Sequence, residues 1–116
     1  MEIKKYIVSG REVEFVNESR NTRHGFAHDT TLFVNGCKVS NDTCHYLNRT
    51  WENYRYQTVM KCAVSKHLDA LKKELKTEYL AEHGYKKLTA SRSEEFAKVL
   101  ADNPEVLFYM EVYTTL

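Results

Sequence analysis

The spacing of apolar residues changes once along this chain, near residue 50, and that change decides which folds are open to it. Before it, Val13 and Phe15 alternate with Glu12 and Glu14, the two-residue period of a strand with one buried face. After it, Met60, Val64, Leu68, Leu71, Leu75 and Tyr79 recur every three or four residues, the spacing of one helix face. Strands followed by helices predict an α+β domain: an N-terminal antiparallel sheet of about four strands, one long amphipathic helix, and two short C-terminal helices.

The strand half carries its own turn chemistry. A first strand over 3–8 turns at Ser9-Gly10 into a second over 12–17, an opening hairpin. A polar stretch over 19–25 leads to a third strand over 28–34. Asn35-Gly36 then supplies two residues that tolerate positive φ, as a two-residue hairpin turn requires. The fourth strand runs from Cys37 toward Tyr46 or Leu47, with Ser40-Asn41-Asp42 as a place for a bulge or turn.

In the helical half, Thr50 or Asn53 suits the N-cap of the long helix and Gly84 its left-handed C-cap. Thirty residues at about 1.5 Å each give a rod of roughly 45 Å, long enough to cross a sheet and project beyond it. Ser91 with Glu94 resembles a capping box opening a short helix through Leu100, and Asn103-Pro104 reads as a cap and first-turn proline opening the last one. That last segment, Pro104 to Tyr113, is apolar nearly all round, so it is either buried or paired with a partner, a homodimer included.

Composition narrows the function classes. At 116 residues, 42% hydrophobic, with four Gly and one Pro, the chain holds the material for one packed domain. Seventeen basic against sixteen acidic side chains, a net charge of +1, exclude a general polyanion coat and an acidic mimic of nucleic acid. No stretch approaches the roughly 18 consecutive apolar residues of a membrane helix, and no membrane association is expected. Cys37, Cys44 and Cys62 stand in a chain that opens Met-Glu-Ile-Lys-Lys without an apolar signal region, from which reduced, buried thiols and a cytoplasmic setting are expected. A zinc site from Cys37, Cys44, His45 and Cys62 lacks any Cys-x-x-Cys pair, and no metal or cofactor is expected.

The densest chemistry lies in Tyr46 to Tyr56, where Tyr46, Trp51, Tyr54 and Tyr56 alternate with Arg49 and Arg55. Guanidinium forks bind phosphate and flat rings stack on bases, so this mixture at a strand-to-helix junction suits a nucleic-acid or protein partner. The alternative is a structural corner, in which Trp51 and Tyr54 bury the junction and Arg49 pairs with Glu52 or Asp42. Five of the six arginines, Arg11, Arg20, Arg23, Arg49 and Arg55, fall in the first half. Arginine suits desolvated planar contacts, so the sheet and its loops are the expected working surface. The candidate binding residues are Arg20, Arg23, His28, Arg49, Trp51, Tyr54 and Arg55. His24, His28 and Asp29 also hold the ingredients of a small hydrolase. On a strand, however, the two histidines share one face and Asp29 points to the other, which favours a polar loop supporting a binding surface.

The pattern Asn21-Thr22-Arg23-x-Gly25-Phe26-x-His28, followed by Tyr46-x-Asn48-Arg49-Thr50-Trp51-Glu52-x-Tyr54-x-Tyr56-Gln57, resembles a family of small uncharacterised proteins encoded by phages and plasmids of Gram-positive bacteria. The resemblance implies a mobile-element accessory protein working in the host cytoplasm. Such proteins include antagonists of host defence, anti-CRISPR proteins among them. It carries no catalytic residue with it. The leading expectation is a non-enzymatic binding module that engages nucleic acid or a nucleic-acid-handling host protein. The alternatives are a protein-only inhibitor or adaptor acting as a homodimer through Pro104 to Tyr113, and the hydrolase of His24, His28 and Asp29.

Overall fold

A computed structural model describes residues 1–46 and 52–116. Four strands, β1 (Glu2–Val8), β2 (Arg11–Thr22), β3 (Gly25–Val34) and β4 (Cys37–Tyr46), form one antiparallel sheet in the order of the chain. Three helices follow, α1 (Glu52–His83), α2 (Ala90–Asp102) and α3 (Pro104–Thr115). This is the α+β architecture that the change of period predicts.

Two tight turns fix the sheet at one end. Ser9 and Gly10 have φ of 47° and 77°, and Asn35 and Gly36 have 49° and 80°, the paired positive values that two-residue hairpins need. Asn35 also ties the turns together. Its N–H donates to the Glu12 carbonyl at 2.8 Å, and its Oδ1 accepts from the Glu12 N–H at 2.9 Å.

At the other end the strands run further than expected. β2 continues through the polar stretch to Thr22 and β3 begins at Gly25, with Ser19 opposite His28 and Thr22 opposite Gly25. Apolar alternation stops at Asn17 because the covered face itself turns polar there, while the backbone ladder continues regardless of side chain. β4 is unbroken through 40–42. Its irregularity lies one step earlier, where Leu32 pairs Ser40 and Phe33 pairs Lys38, leaving Val39 as the extra residue of a bulge.

One face of the sheet carries Val13, Phe15, Leu32 and Val34 into a core with Met60, Val64 and Leu68 of α1 and Val106, Phe108, Tyr109 and Val112 of α3. α1 lies over β3 and β4, and α3 reaches β1. The apolar character of the last segment is thus absorbed on one side by the core. Leu107 and Met110 remain about half exposed, at 48% and 49%. Asn103 caps α3 as its sequence predicts, its Oδ1 accepting from the N–H groups of Glu105 at 3.0 Å and Val106 at 3.1 Å.

The capping box at Ser91 does not form. α2 starts two residues earlier, at Ala90, with Thr89 rather than Ser91 at the N-cap and no side-chain cap bond, which places Ser91 inside the first turn. The distal end of α1 is covered by α2. Tyr79 donates to Glu95 at 2.9 Å and packs its ring 5.2 Å from Phe96, while Gly84 closes the helix at φ 68°.

A row of polar side chains crosses the covered face. Asn17 and Thr30, cross-strand partners, are 0% and 1% exposed. Asn17 Nδ2 reaches the Met60 sulfur at 3.5 Å, but Asn17 Oδ1 and Thr30 Oγ1 have no hydrogen-bond partner among the described residues. A buried hydroxyl left so costs about 1–3 kcal/mol. Thr30→Val, which keeps the shape and removes the hydroxyl, is expected to raise stability by about 1 kcal/mol in urea denaturation. A loss of stability would instead mean that a buried water satisfies the hydroxyl.

Candidate functional site

The end of the sheet opposite the two tight turns gathers the residues that matter. There the β2–β3 turn, Arg23 and His24, stands beside the last residues of β4, His45 and Tyr46. With Thr22 they line a cleft of about 420 Å³. Gly25, at φ 147°, closes the two-residue connection and leaves Arg23 and His24 exposed.

The arginines differ in what already holds them. Arg11 makes a two-pronged pair with Glu105, at 3.1 and 2.7 Å, and lies over the Phe108 ring at 4.3 Å. Arg20 donates to Asp29 at 2.8 Å on the open face of the sheet, and Arg92 stacks 3.6 Å from the Tyr85 ring. Among the described residues, Arg23 has no carboxylate, ring or hydrogen-bond partner, so its guanidinium is available to a ligand. Burial pulls the Asp29 carboxyl upward. Hydrogen bonds from Thr43 and Arg20, with the nearby charges of Arg20 and His45, outweigh that and hold it below the usual range.

His28 takes a different place. It is 1% exposed beneath α1, its ring centroid 5.2 Å from Tyr46 and 4.6 Å from Tyr56. Tyr56 and Ser19 share a hydroxyl hydrogen bond of 2.6 Å. His28 therefore supports the site from inside and presents no group to a partner. Tyr46 and Tyr56, the two ends of the aromatic segment, both pack on it. Between them Arg49 and Trp51 lie outside the described residues, as do the side chains of Tyr54 and Arg55 in the first turn of α1.

His24, His28 and Asp29 are not brought together. The first is exposed in a turn, the second is under α1, and the third bonds Arg20 and Thr43 on the other face. The cysteines are less buried than their residue type suggests: Cys37 is exposed just past a turn, and Cys44 and Cys62 are half-buried. Among the described residues no group of three His, Cys, Asp or Glu side chains is arranged to hold a metal ion.

No protein-family model matches the chain, and no significant match is found among curated proteins or solved structures. The site therefore stands on its own geometry. No helix among the described residues is long and apolar enough to cross a membrane.

A second depression was not anticipated. A groove of about 520 Å³ runs between β4 and α1, floored by Asp42, Gln57, Lys61, Cys62 and Ser65. Its sequence signal was the polar row Gln57, Lys61, Ser65, Asp69, one residue per helical turn on one side of α1. Lys66 closes the strand edge beside it by donating to the Asn41 carbonyl at 3.0 Å, one of the ways an edge strand is protected from further pairing.

Proposed function

We propose that this protein is a non-enzymatic binding module of a mobile genetic element, and that it engages nucleic acid through the cleft at the β2–β3 turn and the adjoining residues 46–56. The observation that carries the reading is the uncommitted Arg23 guanidinium beside His24, His45 and Tyr46, at the end of β4 from which the chain continues to Arg49 and Arg55. A forked cation next to exposed rings is what a phosphate backbone with stackable bases requires. The mobile-element setting rests on the resemblance of the motifs over 21–28 and 46–57.

The open face of the sheet supports confining contact to that end. By register, Glu14 and Glu18 of β2 lie with Asp29 on this face, where they repel phosphate. The same carboxylates, with exposed Leu107 and Met110 on α3, favour a second reading in which the module binds a nucleic-acid-handling host protein.

Salt separates the two. If Arg23, Arg49 and Arg55 each neutralise one phosphate, the affinity for a single-stranded oligonucleotide falls with a log–log slope of about −2, or roughly twentyfold between about 50 and 200 mM salt. Fluorescence anisotropy at several salt concentrations reads this directly. An absence of binding to DNA and RNA at the lowest salt would sink the direct form of the proposal.

A further inference from the structure

The three cysteines were expected to be reduced, buried thiols, yet two of them are half-buried on facing elements. Cys44 lies on the covered face of β4, opposite His28 in the ladder, and Cys62 lies 18 positions later on α1. Cys44 stands close enough to the Cys62 thiol to help push it up. The elements carrying them are pinned together on the same flank, since Ser40 Oγ donates to the Ala63 carbonyl at 3.0 Å and Lys66 to that of Asn41. Cys62 also lines the open groove and Cys44 is half-buried, so a small reagent reaches the pair from solvent.

We propose that Cys44 and Cys62 form a reversible disulfide that staples α1 to β4. The co-reactant is a hydroperoxide or a small disulfide. With peroxide, the Cys44 thiolate attacks one oxygen, the O–O bond breaks, and the departing hydroxide takes up a proton as water, leaving a sulfenic acid. The Cys62 sulfur then attacks that sulfur. The S–O bond breaks, S–S forms, and the Cys62 proton leaves with a second water, so that two thiols are oxidised and one peroxide is reduced. Burial, with Cys44 and Asp42 close by, pushes the Cys62 thiol up.

A bridge here removes freedom mainly from the unfolded chain, and so stabilises the fold. The bond is expected whether or not residues 46–56 touch nucleic acid, so its test is independent of the proposed function. Treatment of the full chain with hydrogen peroxide or oxidised glutathione should lower its mass by two hydrogens. A non-reducing digest should yield one peptide joining Cys44 to Cys62, and the urea midpoint should rise. Dithiothreitol should reverse all three changes.

Cys37→Ser should behave as the natural sequence does, whereas Cys44→Ser and Cys62→Ser should each lose the cross-link and the gain in midpoint. Recovery of Cys44 and Cys62 as separate glutathione adducts or sulfinic acids would overturn the proposal, as would a disulfide formed only between the Cys37 residues of two chains. Because Cys37→Ser keeps both partners, the mass result decides the matter even if the other variants fold poorly.

Discussion

Phe15→Ala is expected to cost about 3–5 kcal/mol of stability, the usual range for emptying a fully buried aromatic site. The ring is 0% exposed and stands at the centre of the cluster that joins the sheet to α1 and α3. Tyr6 meets it edge-on with centroids 6.1 Å apart, and Leu32 lies opposite it in the ladder. A domain of this kind holds about 5–15 kcal/mol in total, so the variant sits near the edge of folding. Its thermal midpoint, followed by circular dichroism, should fall by roughly 10–25 °C. Val16→Ala is the natural control, since one step along a strand turns the side chain to the open face. If Val16→Ala costs as much as Phe15→Ala, the assignment of the covered face is wrong.

Reversing the charge at Arg23 should produce the largest change in binding with the least change in folding. Its side chain is exposed and, among the described residues, bonds nothing, so Arg23→Glu should move the unfolding midpoint by no more than the roughly 0.5 kcal/mol typical of such surface positions. A lost phosphate contact removes about one counterion from the salt slope, and the new carboxylate adds repulsion. Together these should weaken oligonucleotide binding about tenfold or more at low salt. Arg20→Glu serves for comparison: Arg20 already bonds Asp29, so less of its charge is offered outward and its reversal should weaken binding less. Binding by Arg23→Glu equal to that of the natural sequence would remove this cleft from the proposal.

Which parts of this picture were legible in advance follows from the range of the forces involved. The turn at Asn35-Gly36 was readable because two adjacent residues carry the whole requirement for positive φ. The Asn103 cap was readable because its acceptor reaches N–H groups only two and three positions away. The face of α1 built on Met60, Val64 and Leu68 was readable because a helix repeats every 3.6 residues. Where a local signal misled, a small shift sufficed. Starting α2 at Ala90 displaced Ser91 from the cap, and the polar stretch after Asn17 hid a strand extension that its backbone ladder sustains.

The sequence by itself determined the elements, their order and the residues with the means to bind. Only the tertiary structure decided which of those residues are free to do so. Arg20 faces Asp29, nine positions away in the chain, and Arg11 faces Glu105, 94 positions away. His28 is enclosed by tyrosines from β4 and α1, and Cys44 lies close enough to Cys62 across the sheet–helix seam to help push its thiol up. Periodicity and capping act over a few neighbouring residues, whereas pairing of charges, burial of an imidazole and the approach of two thiols depend on how distant segments pack.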